Sequence, residues 1–463
     1  MVTAPRLGLN PVTRRSGHAL AGQPAASPAP RRNRVRLAGT GRSRRRRVKW
    51  GQGVSVFGCQ LCGSRLVTTF VDLGMSPPCE AFVPASRLEA AETFYPLHVR
   101  ICDECLLVQL PTHLPADELF TENYGYYSSY STSWVEHARR YAERMTANLG
   151  LGSQSLVIEV ASNDGYLLQH FVNAGIPVLG IEPAANVAAA AEARGVRTEV
   201  CFLGETTARK LVETYGRADL VTANNVLAHV PDLRDFVRGL AALVNAGGTL
   251  TLEFPHVARL IDGSQFDTIY HEHFSYFTLR TAQRALGAAG LAVTDVEELP
   301  THGGSLRVHA RHEDEAGPPS RRVAALLSAE AAAGLHQVAG YRGFAAAVST
   351  VKKELLTFLI TAADEGRSVA GYGAPGKGNT LLNYCGIRAD LLPFTVDLNP
   401  HKHGMSLPGT HIPIRPTSEI ARVRPDYVLV LPWNLRAEIS GQLAYVREWG
   451  GRLVYPIPRL EIV

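Results

Sequence analysis

The chain lacks the long apolar run that a membrane-spanning helix needs, since nowhere do about 18 consecutive residues stay apolar. Cysteine is also scarce, at seven in 463 residues, which excludes a disulfide framework and favours a reducing cytoplasm. Acidic residues are missing altogether from residues 1–53, which hold 13 Arg and Lys side chains. We therefore expect a cytoplasmic globular protein, without a membrane partner, whose first residues form an unusual basic segment.

The basic segment conceals the charge of the remaining chain. Although the whole sequence has a formal charge of +5, residues 54–463 hold 34 basic and 42 acidic side chains and carry −8. Residues 1–53 are rich in Pro, Gly and Ser and have no apolar periodicity, so we expect them to be disordered. They are either a true extension or translated upstream sequence, with the functional start near Val54.

Four of the seven cysteines stand in two CxxC pairs, Cys59–Cys62 and Cys102–Cys105. Two such pairs that converge on one point offer the four thiolates that Zn²⁺ prefers, and they leave no coordination position open for catalysis. Buried thiols or a redox CxxC are alternatives, but neither explains a second pair of the same form. We predict a structural zinc site at Cys59, Cys62, Cys102 and Cys105, in a small domain over residues 54–120.

Strand and helix patterns alternate through most of the remaining chain. The first expected strands are 155–160, 177–182, 218–223 and 249–254. An Ala-rich helical stretch over 320–366 is followed by further expected strands at 368–373, 394–397, 426–431 and 452–456. Strands that alternate with helices indicate parallel, doubly wound sheets. We therefore predict an α/β protein with two Rossmann-like domains, over residues 121–310 and 311–463.

Polar residues follow the first expected strands, at the edge where open α/β sheets bind ligands. An acid after the second strand commonly holds ribose hydroxyls. The loop at 161–165 keeps only one glycine of a glycine-rich fingerprint, which hinders a pyrophosphate but not S-adenosylmethionine (SAM), a cofactor without phosphate. The predicted SAM-binding residues are Glu159, Ser162, Asn163, Asp164, Gly165, Glu182, Asn224 and Asn225.

Two further strings complete a recognisable set: YHEHFSYF at 270–277 and GYGAPGKGN at 371–379. Together with the two CxxC pairs and ASNDGYLL at 161–168, in this order and spacing, they resemble the SAM-dependent sugar C-methyltransferases. That family acts on dTDP-linked 4-keto-deoxysugars in antibiotic biosynthesis, and the resemblance covers about residues 57–463. It implies a zinc-binding N-terminal domain, a class I methyltransferase domain at 121–310 and a nucleotide-sugar-binding C-terminal domain at 311–463.

The resemblance also implies an active site, and every residue type of that site is present here. Its members are Tyr124, His229, Tyr270, Glu272 and His273. A sugar C–H becomes acidic only beside a ketone, and a neutral imidazole with a pKa of roughly 6.5 suits its removal. We predict His273 as the base, Tyr124 and His229 as donors to the enolate oxygen, and Glu272 and Tyr270 as residues that orient the base and the substrate.

The run His271-Glu272-His273 has two other interpretations, a 2-His-1-carboxylate metal site or a set of core residues. If the run lies on a strand, His271 and His273 share one face and Glu272 points to the other. One ion could not then bind all three side chains, so we expect no catalytic metal.

The glycine-rich loop at 371–378 satisfies both GxGxxG and the GxxxxGK part of a P-loop. Gly378 stands where a P-loop has the Ser or Thr that binds Mg²⁺, so we expect no ATP hydrolysis. A glycine loop with a lysine at a helix start suits a diphosphate. We predict Gly376, Lys377 and Asn379 as substrate-binding residues; the alternative is a turn that merely needs glycine.

The function predicted from these features is SAM-dependent methylation of a carbon next to the ketone of a dTDP-4-keto-deoxysugar, at C3 in preference to C5. One alternative is an O- or N-methyltransferase for another small molecule, which would need no proton removal from carbon. A zinc-dependent nucleic-acid-binding protein is a further alternative, but the −8 charge of residues 54–463 disfavours it.

Overall fold

The computed structural model describes residues 57–115, 125 and 127–463. The basic segment and the predicted donor Tyr124 lie outside these residues. Within the described part of the chain, no helix is both long enough and apolar enough to cross a membrane. The predicted α/β class is confirmed, because two mostly parallel sheets carry helices between their strands.

Residues 57–115, called the zinc lobe below, form an antiparallel sheet that borrows its last strand from far along the chain. Its strands are, in sheet order, Thr68–Ser76, Tyr95–Ile101, Val108–Gln109 and Ser275–Tyr276. A further short strand, Val83–Pro84, pairs with Met405–Ser406. The zinc lobe is therefore hydrogen bonded to both of the domains that follow it.

The second domain is built on a seven-stranded sheet. Its strands are, in sheet order, Leu291–Leu299, Ser305–His312, Val244–Pro255, Ala218–Asn224, Val157–Val160, Val178–Ile181 and Thr198–Glu199. Only Ser305–His312 runs antiparallel to its neighbours, so the other six strands all point the same way. The helices are Thr132–Leu149, Leu168–Asn173, Ala185–Ala193, Glu205–Tyr215, Leu233–Leu243, Val257–Asp262 and Leu279–Gly287. The predicted domain boundary after residue 310 falls near the end of the strand Ser305–His312.

The local sequence accounts for these elements. All four residues of Val157–Val160 are buried, as expected for a central parallel strand covered on both faces. The helix Leu233–Leu243 begins after Asp232, whose side chain accepts a hydrogen bond from the Asp235 N–H at 3.0 Å. Apolar residues at helical spacing then bury one face of this helix against the sheet.

The C-terminal domain has a six-stranded sheet. Its strands are, in sheet order, Ile414–Pro416, Thr395–Asp397, Val369–Tyr372, Tyr427–Val430, Arg452–Tyr455 and Glu461–Ile462, of which the last is antiparallel. The helices are Arg321–Ala332, Phe344–Asp364, Gly376–Cys385, Ser418–Val423 and Arg436–Gln442. The expected helical stretch at 320–366 is broken where Gly334 adopts φ +78° and Gly340 packs against it.

Two apolar cores meet in the zinc lobe. The cysteines and Leu107 pack with the seven-stranded sheet of the second domain, in a cluster that includes Leu233 and Phe277. Phe70 and Val99 pack instead with the C-terminal domain, in a cluster that includes Phe344. The zinc lobe thus lies between two domains and shares a core with each.

Candidate active site

The four predicted zinc ligands converge, since their Sγ atoms all lie within 4.8 Å of one another. The Sγ of Cys59 lies 3.4 Å from that of Cys105, and the Sγ of Cys62 lies 3.4 Å from that of Cys102. Tetrahedral zinc with Zn–S bonds of about 2.3 Å separates its sulfurs by about 3.8 Å, so the cluster fits a Cys₄ zinc site. The hydrogen bond between the thiols of Cys59 and Cys105 lowers the pKa of Cys59 and raises that of Cys105, and a bound zinc ion would favour the thiolate form of both.

A buried glutamine joins this centre to the tract at 270–277. Gln109 donates from Nε2 to the Sγ of Cys59 at 3.1 Å, and its Oε1 accepts from the Gln60 N–H at 2.9 Å. The backbone of Gln109 pairs with Ser275, whose hydroxyl donates to Oε1 of Gln60 at 3.1 Å. This link depends on pairing between strands distant in the sequence, so no local signal indicated it.

The predicted SAM-binding residues surround one loop. The strands Val157–Val160 and Val178–Ile181 are parallel neighbours, so their carboxyl ends lie side by side. Glu182 accepts from the Asn163 N–H through Oε2 at 3.0 Å, and thus holds the loop that follows the first strand. Gly165 turns this loop with φ +77°, where a Cβ would lie 3.0 Å from Cγ2 of Val196.

Several buried oxygens at this edge have no hydrogen-bond partner among the described residues. They are Oγ of Ser162 and the Oδ1 atoms of Asp164, Asn224 and Asn225. Because buried polar atoms are almost always paired, these acceptors favour a ligand rich in donors. Burial also raises the pKa of Glu159 well above its usual range, which a nearby cation would oppose. SAM fits, since it carries an ammonium and a sulfonium group and no phosphate.

A hydroxyl-rich segment covers this loop. The Ser128 N–H donates to Oδ1 of Asn163 at 2.8 Å, and the Ser129 hydroxyl donates to Oδ2 of Asp164. Arg194 pairs with the same Oδ2 at 2.8 Å. The segment follows Tyr124 closely in sequence, and the role of Tyr124 as a donor stays a prediction.

His273 is held in one tautomer beside the cofactor edge. Its Nδ1 donates to the Thr268 carbonyl at 2.6 Å, so the proton lies on Nδ1 and Nε2 is free to act as a base. Burial and, next, His229 lower the pKa of His273 well below its usual range. The imidazole is therefore neutral at pH 7, as removal of a proton requires.

Two of the other predicted catalytic residues pack against this imidazole. The ring of Tyr270 lies 4.0 Å from that of His273, and the ring of His229 lies 4.6 Å away in an edge-on arrangement. His229 ends the turn that follows the strand Ala218–Asn224, so the base stands next to the strand end that carries Asn224. Burial lowers the pKa of His229 to about 4, while a hydrogen bond to the Glu272 carbonyl opposes this shift.

The run His271-Glu272-His273 does not lie on a strand, because only Ser275–Tyr276 is a strand in this tract and residues 271–272 form a turn. The turn sends the three side chains to different neighbours. The His271 ring lies 5.8 Å from that of Tyr95. Oε1 of Glu272 lies 3.7 Å from the Sγ of Cys79, and burial raises the pKa of Glu272 to about 8. The three side chains therefore do not converge on one ion.

The predicted substrate-binding lysine lies in a group of residues that the sequence did not indicate. Lys377 donates from Nζ to Oδ1 of Asn434 at 2.9 Å and lies 5.0 Å over the Trp433 ring. Trp433 donates from Nε1 to Oδ2 of Asp267 at 2.6 Å. Burial raises the pKa of Asp267 to about 6. Asp267 directly precedes Thr268, so this group adjoins the support of His273.

The other two predicted substrate-binding residues contact the zinc lobe. The Gly376 N–H, at the start of the helix Gly376–Cys385, donates to the carboxylate of Glu80. Asn379 is 2% exposed and donates from Nδ2 to the Cys79 carbonyl at 2.6 Å. The helix start therefore faces an acidic side chain, whose pKa burial raises above its usual range, and a contact of Asn379 with substrate stays a prediction.

Comparison with known families divides the chain as the fold does. Residues 59–120 match a zinc binding domain family, residues 134–296 a methyltransferase domain family, and residues 300–458 a C-methyltransferase C-terminal domain family. The three matched ranges follow one another without overlap, and each contains most strands of one of the three large sheets. The predicted domain types are thus confirmed.

Individual relatives agree with this division. C-methyltransferase NovU from Streptomyces niveus is 34% identical over 405 residues, which cover 88% of this chain and 96% of NovU. Ubiquinone biosynthesis O-methyltransferase from Rhodopseudomonas palustris (strain BisB18) is 28% identical over 134 residues, 28% of this chain and 53% of that protein. Geranyl diphosphate C-methyltransferase from Streptomyces coelicolor A3(2), a solved structure, is 14% identical over 44% of this chain and 100% of its own, with a TM-score of 0.32 that carries no argument.

The match to NovU spans nearly the whole of both chains, and the Cys₄ cluster and the cofactor edge lie in the domains whose families predict them. The chain therefore belongs to the C-methyltransferase family with an N-terminal zinc-binding domain, and it is a SAM-dependent C-methyltransferase.

Proposed function

We propose that this enzyme methylates a ring carbon next to the ketone of a dTDP-4-keto-deoxysugar, at C3 in preference to C5. The observation that most supports the proposal is the placement of His273, whose Nδ1 donates to the Thr268 carbonyl and thereby leaves Nε2 as the acceptor. A base of this kind, next to a SAM-binding edge, suits removal of a proton from carbon. The relation to NovU favours a small-molecule substrate.

The reaction begins when Nε2 of His273 takes the proton from the carbon beside the ketone. The electron pair of the C–H bond forms the C=C bond of an enolate, and the carbonyl π pair moves to oxygen. SAM, when bound, supplies the methyl group to that carbon and leaves as S-adenosylhomocysteine. His273 holds the proton at Nε2 until it passes to solvent.

The neighbours of His273 keep the base in place. Tyr270 packs against its face at 4.0 Å and restricts rotation of the ring. Glu272, whose pKa of about 8 keeps it protonated at pH 7, adds no negative charge that would bind the proton on His273 too firmly. Tyr124 is assigned as a donor to the enolate oxygen.

Lys377 is assigned to the diphosphate of the sugar nucleotide. Lys377 is the second residue of the helix Gly376–Cys385, at the end where backbone N–H groups and the helix dipole favour an anion. The positive charge of Lys377 also lowers the pKa of His273, which shows that the two side chains lie within electrostatic range. A diphosphate bound there leaves the attached sugar within reach of the base.

The test is incubation of the full chain with SAM and a panel of dTDP-4-ketosugars, with the methylated position read by NMR. His273→Asn is the matched variant, because an Asn amide can still donate to the Thr268 carbonyl but offers no base at Nε2. We expect loss of methyl transfer with SAM affinity nearly intact. Turnover close to that of the wild type would rule out His273 as the base.

Methylation at oxygen or nitrogen is separated from methylation at carbon by a second measurement. Without SAM, the wild type should exchange the α-proton of the ketosugar for solvent deuterium, and His273→Asn should not. A wild type that methylates the sugar without catalysing exchange would favour an O- or N-methyltransferase.

A further inference from the structure

His302 lies in the left-handed backbone region, with φ +53° and ψ +25°, where residues other than glycine are uncommon. The loop around it is fastened on both sides. Thr301 donates from Oγ1 to Oε1 of Glu253 at 2.9 Å, and Gln265 donates from Nε2 to the Gly303 carbonyl at 2.8 Å. A strained backbone conformation persists only where contacts with the surrounding structure hold it in place, and residues with such conformations concentrate at functional sites.

The imidazole of His302 lies at the cofactor edge. Asn225, which is also left-handed at φ +54°, directs Nδ2 toward Nε2 of His302 at 3.2 Å. Because the amide N–H donates, Nε2 accepts and the ring proton lies on Nδ1. Trp134 packs edge-on against the ring, with 5.1 Å between the centroids. The half-buried ring is thus fixed in position and tautomer.

His302 and the base His273 are both linked to Lys377 and to Gln265. The charge of Lys377 acts on both imidazoles, and burial together with that charge lowers the pKa of His302 to about 4. Gln265, which fastens the His302 loop, also precedes Thr268 in the turn that supports His273. The Thr268 hydroxyl donates to the Gln265 carbonyl at 2.7 Å, so hydrogen bonds through Gln265 join the loop of His302 to the turn that supports His273.

An enolate needs a fixed donor at its oxygen, and loss of one such donor lowers kcat by about 10²- to 10³-fold in comparable sites. His229 directs a ring N–H to the Glu272 carbonyl, and an enolate oxygen can accept a second hydrogen bond beside the one assigned to Tyr124. A neutral imidazole suits it, because it donates a hydrogen bond without surrendering its proton to the oxygen.

We propose that His302 is a further catalytic residue, which donates from Nδ1–H to the keto oxygen of the substrate while His273 removes the neighbouring proton. The proposal rests on the proposed function. As the C–H bond breaks, its electron pair becomes the C=C bond and the carbonyl π pair moves to oxygen, where the Nδ1–H stabilises the charge. The proton of His302 stays on nitrogen throughout.

Two variants test this role without straining the backbone. His302→Gly removes the donor at a φ that glycine favours, and His302→Asn keeps an N–H close to the place of Nδ1 in a residue that tolerates left-handed φ. We expect His302→Gly to lower kcat about 100-fold and His302→Asn to lower it by less than about tenfold. SAM affinity and Tm should stay close to those of the wild type in both.

The α-proton exchange without SAM supplies the decisive readout. His302→Gly should slow exchange as much as it slows methyl transfer, because the enolate precedes both. Exchange at the wild-type rate with slow methyl transfer would overturn the proposal, and so would equal activity of the Gly and Asn variants. A wild type that neither exchanges nor methylates any 4-ketosugar would overturn the proposed function, and this proposal with it.

Discussion

The side-chain amide of Gln109 donates to the Sγ of Cys59, while the backbone of the same glutamine pairs with Ser275 in the active-site tract. One residue therefore contacts the zinc centre and also supports the strand that directly follows His273 and Phe274. Donors to a ligand sulfur stabilise the thiolate and orient it, and their loss typically costs 10- to 100-fold in metal affinity.

Gln109→Leu should weaken zinc binding and activity together. The leucine removes the donor to Cys59 and the acceptor for the Gln60 N–H, so we expect zinc loss to a competing chelator to be about tenfold faster and kcat to fall. Gln442→Leu is the control, because Gln442 accepts from the Tyr372 hydroxyl in the C-terminal domain. Zinc retention equal to that of the wild type in Gln109→Leu would contradict the link.

Replacement of zinc by Co²⁺ should leave the reaction almost unchanged. Four cysteines fill the tetrahedral site, so the ion has no open position for substrate and acts only on structure. We expect cobalt enzyme to show the spectrum of a four-thiolate site and a kcat within about twofold of the zinc enzyme. A change in kcat that follows the Lewis acidity of the metal would refute a purely structural ion.

Glu272→Gln should raise stability, and by more at higher pH. The pKa of Glu272 rises from 4.5 to about 8 on folding, so the protonated carboxyl stabilises the folded state. This contribution to the free energy of unfolding is fully present below pH 4.5 and is lost as the pH rises through 8. Glutamine resembles the protonated acid and avoids this loss. The difference in unfolding free energy should be small at pH 4.5 and reach about 3–5 kcal/mol at pH 9.

Denaturant unfolding across this pH range measures the effect. The exposed Glu192→Gln serves as the control, in which no such pH dependence is expected. A stability difference for Glu272→Gln that stays constant from pH 4.5 to 9 would show that the carboxyl does not titrate as described.

Glu80→Gln should strengthen binding of the nucleotide sugar. The carboxylate of Glu80 accepts from the Gly376 N–H, at the helix start assigned to the diphosphate, and must give way to it. A neutral amide competes less, so KM for the sugar should fall about threefold to tenfold. Glu92→Gln is the control, because Glu92 joins the same two domains at Gly409, which packs near the opposite end of that helix. An unchanged or higher KM in Glu80→Gln would place the diphosphate elsewhere.

The sequence indicated those features that depend on local pattern. Alternating strands and helices, the two CxxC pairs and the polar loop at 161–165 all follow from neighbouring residues, and the fold agrees with them. It did not indicate Gln109, Asp267 or His302, because their roles arise from contacts between distant segments. The tract at 270–277 shows the limit of prediction from local pattern. Its apolar and aromatic residues suit a strand, but His271 and Glu272 form a turn that packs against the zinc lobe.

The strand Ser275–Tyr276 also constrains how this enzyme can be recombined with its relatives. Its hydrogen bonds go to Val108–Gln109, so a chimera that exchanges only the N-terminal domain would join two halves of one sheet that have not evolved together. An exchange that carries residues 57–115 and 257–277 as a pair keeps the sheet whole. The zinc-lobe sheet is therefore discontinuous in the sequence, and designed hybrids should exchange both of its segments together.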